Sequence, residues 1–361
     1  MLAGCTTDRT RRGYLENVAV TYDAPPARAV VIVPGFGVTR LYDPVTKRFV
    51  WGTGRNTMVT KYADDLDLPI GDDGTIGHDR LLPRGFTGSR GPINIGWHLQ
   101  EALRRYGGYT LGRDVFVFEY DWRLSARDNA AQLGALIERI GNGRKVDVVT
   151  HSAGSIVALT YVKLGGGASH VEHLVMLAPT QRGVIDAFRV LVRPEVFLRR
   201  VFRPDIVATW PFVTDLLPEN GKFLANDDRD LWRAESWRDL LALDDEHRRA
   251  FARSLANARA FRDELRDAPM PSGVHVSVLA GDCVPTARRA LRRADASYAF
   301  YVRELRASEQ SLAKTLFEPG DGTVPISSAA NGGDATLFFD GHQGLATDPN
   351  VHRALLRLLR D

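Results

Sequence analysis

The chain has 361 residues, 44% hydrophobic and 25% charged, an ordinary globular balance that excludes a disordered, collagen-like or coiled-coil protein. Its 47 Lys and Arg against 44 Asp and Glu leave a net charge of +3, too small for the electrostatic footprint of a nucleic-acid binder. Two cysteines, Cys5 and Cys283, exclude a disulfide scaffold and a thiolate zinc cluster, and no apolar run approaches the roughly 18 residues that span a bilayer.

Leu2-Ala3-Gly4-Cys5 resembles a bacterial lipobox, in which the cysteine is lipidated after signal cleavage. Residues 1–13 accordingly read as a tail: the remnant of a cell-envelope lipoprotein if the true start lies upstream of Met1, otherwise the end of a cytoplasmic protein. The run Arg28 to Val33, stopped by Pro34-Gly35, predicts a strand buried on both faces. Comparable runs follow at 115–118, 146–150, 174–178, 274–280 and 336–339, mostly with helical stretches between them. Alternation of this kind predicts a doubly wound, mostly parallel α/β sheet. Ala131, Leu133, Leu136, Ile137 and Ile140 recur at helical spacing up to the stop at Gly141 and Gly143, and a second apolar helix is expected from Ala153 to about Leu164. Stretches 66–89 and 287–316 read as excursions, the first as loop. From Gly183 to Pro271 the strand pattern gives way to Arg-rich, Trp-containing helical stretches. The predicted organisation is therefore a core of 14–183 and 271–361 with a helical cap inserted at 184–270.

The chemistry is concentrated in Val148-Val149-Thr150-His151-Ser152-Ala153-Gly154, where a buried strand runs directly into a helix through a serine with small neighbours. This is the pattern of a nucleophile elbow: a sharp turn lifts the serine Oγ above the sheet, and small residues are needed because strand and helix nearly touch. Thr150 stands where a first glycine is usual. A serine hydroxyl is a weak nucleophile until a histidine takes its proton, and the histidine needs an orienting acid. Asp321, in Gly320-Asp321-Gly322-Thr323-Val324-Pro325, precedes the last strand, and His342, in Asp340-Gly341-His342-Gln343-Gly344, follows it. The order Ser, Asp, His is that of α/β-hydrolases. Asp282, just after the 274–280 strand, competes for the acid position; Asp321 is preferred for its Gly-flanked turn close to the last strand and the histidine. Two backbone N–H groups must hold the oxyanion of the tetrahedral intermediate. Ala153, after the serine, is one donor, and Phe36, in the Val33-Pro34-Gly35-Phe36-Gly37 loop, is the other. This chemistry requires neither a metal nor an organic cofactor. His170 and His173, three apart with Glu172 between them, lack a third suitably spaced metal ligand.

Taken together, the chain resembles the lecithin:cholesterol acyltransferase family of α/β-hydrolases, which includes lysosomal phospholipase A2 and the phospholipid:diacylglycerol acyltransferases. The resemblance rests on Val33-Pro34-Gly35, Leu41-Tyr42-Asp43-Pro44, Val50-Trp51-Gly52, Tyr120-Asp121-Trp122-Arg123, the serine elbow, Leu177-Ala178-Pro179, Leu216-Leu217-Pro218, Pro285-Thr286 and Gly320-Asp321-Gly322-Thr323-Val324-Pro325. It implies the triad Ser152, Asp321 and His342 with Phe36 and Ala153 as oxyanion donors, and it favours Asp321 over Asp282. It also places Trp51 and Trp122 as candidates for the acyl site. Animal members close a lid with a disulfide after the first oxyanion loop, whereas this chain has no cysteine between Thr6 and Asp282. The expected activity is a serine lipase, phospholipase or O-acyltransferase; a carboxylesterase for smaller esters and a catalytically silent lipid-binding envelope protein are the alternatives. The basic stretch from Phe188 to Arg203 carries five arginines against Glu195 and suits either an anionic membrane surface or a helix covering the site. An ester or lipid substrate is the expected partner; the oligomeric state is left open.

Overall fold

The computed structural model describes residues 25–52, 62–86, 95–197 and 200–360. The expectation for residues 1–13 lies outside them. Six strands form a parallel sheet: Val30–Val33, Val115–Val117, Val146–His151, Val171–Leu177, His275–Gly281 and Thr336–Phe338. Their order across the sheet is 336, 275, 171, 146, 30 and 115, each named by its first residue, and all neighbours run parallel. The chain is an α/β protein wound in both directions from Val30–Val33. That strand has 115–117 on one side and 146–151 on the other, so the topological switch point lies between 30–33 and 146–151, where α/β sheets place their ligands.

The period of two along a strand explains why these runs are apolar throughout. Val31 and Val33 face one hydrophobic layer with Val148, while Val30 and Ile32 face the other with Val149. Helices Ala126–Gly141 and Gly154–Leu164 cover the first face, and Ile95–Tyr106 and Pro349–Leu358 the second. Two of them bear clear boundary signals. Ser125 caps the 126–141 helix by accepting the Asp128 N–H, and Asn142 ends it in the left-handed conformation. Asp348 and Pro349 start the 349–358 helix.

Smaller antiparallel pieces escaped the sequence reading. Strand Thr39–Asp43 pairs with Arg48–Trp51 and with Leu82–Phe86, so the segment expected as loop at 66–89 ends in a strand. Val284–Ala287 pairs with Phe317–Gly320 and leads the chain into the Asp321 turn. The stretch from 188 to 203 is not one helix. Helix Ile185–Val192 stops before Pro194, and Glu195–Phe197 and Arg200–Phe202 form a hairpin. Its described arginines are engaged: Arg189 with Asp186 and Glu195, Arg193 with Glu195 and Glu304, Arg203 with Asp64 and Asp205. Arg200 is buried and donates to the carbonyls of Val50 and Tyr62 at 2.8 Å each, and pairs with Asp65. Among the described residues, no helix is long and apolar enough to cross a membrane.

Arg123 joins the core to the 62–86 segment. Its guanidinium, fully buried, contacts Asp121 and Asp79 at 2.7 Å each and donates to the Leu66 carbonyl. Burial alone disfavours its charge, and the two carboxylates more than offset this. Removing the cation would strand two carboxylates, a loss worth about 3–5 kcal/mol in buried pairs. Arg123→Met should therefore lower the urea midpoint and the Tm markedly, and an unchanged midpoint would show the network to be dispensable.

Candidate active site

At the switch point, the Val146–His151 strand turns into the Gly154–Leu164 helix through Ser152, whose φ is +55°. A non-glycine residue in this left-handed region is strained, and the surroundings hold it there. The Ser152 N–H donates to the Leu177 carbonyl at 2.9 Å, and the Ser155 hydroxyl donates to the Ser152 carbonyl at 2.7 Å. The turn needs small residues on both sides. A Cβ on Gly154 would lie 2.4 Å from the Val33 carbonyl oxygen and 2.5 Å from that of Pro34, and one on Gly35 would lie 2.9 Å from the Ser152 Cβ. Thr150, in place of the usual glycine, still belongs to the strand and is fully buried.

The structure brings Ser152, His342 and Asp321 into one hydrogen-bonded line. The Ser152 hydroxyl lies 2.9 Å from His342 Nε2, and His342 Nδ1–H donates to Asp321 Oδ2 at 2.8 Å. The other Asp321 oxygen accepts the N–H groups of Thr323 and Val324 at 2.9 and 2.7 Å, and the Asp321 carbonyl accepts the His342 N–H. These bonds explain the Gly-Asp-Gly-Thr-Val pattern: the turn closes on its own aspartate, leaving one carboxylate oxygen for the imidazole. Asp282 ends the neighbouring strand without a hydrogen bond to His342. Burial acts to lower the pKa of His342, but the Asp321 carboxylate and its hydrogen bond outweigh it, and Asp186 adds to them; the value stands above that of an ordinary histidine.

A second histidine, which the sequence reading quoted within the elbow without assigning it a role, lies beside the first. His151 is buried, 4.8 Å from His342 ring to ring, and its Nε2 is 3.0 Å from the His342 carbonyl oxygen. A carbonyl only accepts, so Nε2 carries the proton. Burial and the neighbouring His342 push the His151 pKa down to about 3, which keeps this ring neutral.

Phe36 and Ala153 flank Ser152 at the head of a cavity of about 220 Å³. Their N–H groups have no backbone acceptor among the described residues. The cavity wall is apolar where it is formed by Phe36, Val184, Ala187, Val190, Phe202, Trp210, Val213 and Leu216, and charged where Asp186, Arg189 and Glu195 meet. Trp51 and Trp122 are not part of this wall. Both are fully buried behind it, where Trp122 meets the Phe36 ring edge-on at 4.7 Å and Trp51 packs on Trp122 at 5.3 Å. Besides Phe36, the aromatic residues facing the cavity are Trp210 and Phe202, from a stretch with no strand or long-helix periodicity to mark them. Among the described residues no group of three or more His, Cys, Asp and Glu is arranged to hold a metal ion.

Sheet order, elbow and the line of three side chains define an α/β-hydrolase. The resemblance to the lecithin:cholesterol acyltransferase family holds as well: the model of that family matches residues 97–197, the segment with the Tyr-Asp-Trp-Arg tetrad and the elbow. The crystal structure of the Tle4–Tli4 complex contains a chain of similar fold, with a TM-score of 0.61 and 15% identity, covering 94% of this chain and 100% of that one. The mature lipase BlEst2 of Bacillus licheniformis aligns with a TM-score of 0.44 and 15% identity over 94% of each chain. The uncharacterized protein YJR098C of Saccharomyces cerevisiae is 27% identical over 155 residues, which span 42% of this chain and 23% of the yeast protein.

The two histidines should titrate on opposite sides of the usual value near 6.5. Imidazole NMR between pH 3 and 9 should show His342 charging as the pH falls through a midpoint above 6.5, while His151 stays neutral until about pH 3. Coincident titration of both would contradict this hydrogen-bond assignment.

Proposed function

We propose that the chain is a serine-dependent acyl hydrolase or O-acyltransferase of lipid esters, working through an acyl-enzyme. The observation that carries the reading is the hydrogen-bonded line Ser152–His342–Asp321 at the head of a largely apolar cavity, with two N–H groups free beside the serine. In this scheme Ser152 Oγ attacks the ester carbonyl while its proton passes to His342 Nε2. Asp321 keeps the proton on Nδ1 and stabilises the imidazolium. Phe36 and Ala153 N–H groups hold the developing oxyanion. His342 then protonates the leaving alcohol, whose bond to the acyl carbon breaks; it next takes a proton from the water or acceptor alcohol that attacks the acyl-enzyme and returns it to Ser152 Oγ as the acyl–Oγ bond breaks, which frees the product and the serine. Residues 184–270 act as the cap that supplies the apolar wall and its charged rim. The raised His342 pKa places the acid limb of kcat/KM above the ordinary histidine value, since the neutral imidazole is the base and is lost as the pH falls.

The size of the cavity favours a second reading, a carboxylesterase for smaller soluble esters: about 220 Å³ lies below the roughly 300–1,000 Å³ of typical ligand pockets.

Hydrolysis of p-nitrophenyl esters from short to long acyl chains, with phospholipid vesicles and an added alcohol in parallel, separates these readings. Ser152→Ala should lower kcat by up to about 10⁶-fold. Long-chain and phospholipid turnover lost in that variant supports the lipid enzyme, and a new alcohol ester identifies the transferase. Turnover of short esters alone leaves the carboxylesterase, and equal activity of wild type and Ser152→Ala overturns the scheme. Asp321→Asn should cost about 10⁴-fold in kcat by inverting the imidazole tautomer.

A further inference from the structure

The loop that carries the Phe36 N–H is held from behind by three aromatic side chains. Tyr120 Oη donates to the Pro34 carbonyl at 2.7 Å, Trp51 Nε1 to the Gly37 carbonyl at 2.7 Å, and Trp122 Nε1 to the Thr39 carbonyl at 3.0 Å. All three donors are fully buried, and they come from two separate stretches of chain. Between the anchored carbonyls lies the turn closed by the Val38 N–H on the Gly35 carbonyl, with Phe36 at its centre. We propose that Tyr120, Trp51 and Trp122 are positioning residues that preset the Phe36 N–H as an oxyanion donor; the inference rests on the serine acyl-transfer reading above.

The Pro34 carbonyl ties the two donors together. It is the acceptor of the Tyr120 hydroxyl, and it also abuts Gly154, where a Cβ would come within 2.5 Å of its oxygen. Gly154 follows Ala153 directly, so one carbonyl registers the Phe36 loop against the residue bearing the other N–H. An oxyanion hole contributes to rate because its donors are in place before charge develops, and donors displaced by fractions of an ångström lose that advantage. A loop with glycine on both sides of Phe36 has backbone freedom to turn its N–H away. Three buried hydrogen bonds restrict that freedom, since releasing any of them would strand a polar group in an apolar layer. Burial pushes the Tyr120 pKa up, so the hydroxyl remains a donor at any working pH. The Phe36 ring, edge-on to Trp122, makes the loop part of the same packed layer.

The most conservative test removes one oxygen. Tyr120→Phe keeps the ring and deletes the donor to Pro34. On a p-nitrophenyl ester that the wild type turns over, kcat should fall by about 10- to 100-fold, part of the 10²–10³ that loss of a whole oxyanion donor costs. KM should stay within about twofold. Rates are taken per active site, counted by stoichiometric fluorophosphonate labelling, so that misfolded protein does not enter them. The pH midpoint of kcat/KM should not move, because His342 and Asp321 are untouched. Trp51→Phe removes the donor to Gly37, should show the same split, and serves the test if Tyr120→Phe does not fold. Ile137→Val, a buried change in the 126–141 helix remote from the loop, should lower the Tm without lowering kcat per site. Two results would overturn the proposal: kcat per site within twofold of wild type in both aromatic variants, or a fall accompanied by a shifted pH midpoint, which would route the defect through the triad. Full activity of Ser152→Ala would instead remove the reading beneath it, whereas an inactive Ser152→Ala beside fully active Tyr120→Phe and Trp51→Phe removes only the positioning role.

Discussion

The site depends on a close approach of two pieces of backbone. The end of the Val30–Val33 strand and the start of the Gly154–Leu164 helix press together so tightly that Gly154 has no room for a Cβ, and Gly35 meets the side chain of Ser152 itself. Van der Waals repulsion rises steeply at such distances, so the contact acts as a hard stop. It places Ser152 at a positive φ and brings the loop that carries Phe36 against the start of the helix that follows Ala153. The parallel sheet supplies the force behind the contact. Strands 30–33 and 146–151 are neighbours buried on both faces, and separating them would expose both hydrophobic layers.

Protonation is controlled by the same packing. His342 and His151 are both buried, and desolvation acts to lower both pKa values. Their partners separate them. His342 faces a carboxylate that favours its charged form, while His151 donates to a neutral carbonyl and stays uncharged. The neutral His151 ring thus holds the backbone of His342. A cation at His151 would oppose the imidazolium that acyl transfer forms at His342, so its low pKa suits the chemistry proposed for its neighbour.

Much of this was legible in sequence, and the reasons are local. Runs such as Val30 to Val33 are apolar because both faces of the sheet are covered, and Ser152, Asp321 and His342 sit in short motifs whose turns are made by residues within three positions of each. What the sequence reading missed depends on partners far along the chain. The arginines of 189–203 suggested one basic helix, but their acids are partly at 64, 65 and 304, and Pro194 divides the segment into helix and hairpin. Trp51 and Trp122 were candidates for the acyl site beside the alternative of buried core; as bulky aromatics they are indistinguishable in sequence from wall residues, and only their burial and hydrogen bonds to the 34–39 loop tell the two roles apart. Trp210 and Phe202 face the cavity from a stretch with no period to read.

The tetrad Tyr120-Asp121-Trp122-Arg123 shows how alternation along four residues divides labour. Tyr120 and Trp122 send donors to the loop at 34–39, whereas Asp121 and Arg123 form the ion pair that reaches Asp79 and the Leu66 carbonyl. One short segment, turning where the Leu124 N–H meets the Asp121 carbonyl, therefore holds both the 34–39 loop and the 62–86 segment, and each link is a buried polar contact. Such contacts add little net stability compared with an apolar layer of equal volume, but they penalise every alternative geometry in which a donor, acceptor or charge is left alone. That penalty favours a single arrangement. For the acyl transfer proposed here, whose rate would depend on donors set before the substrate arrives, uniqueness of the loop conformation matters more than its contribution to the free energy of folding.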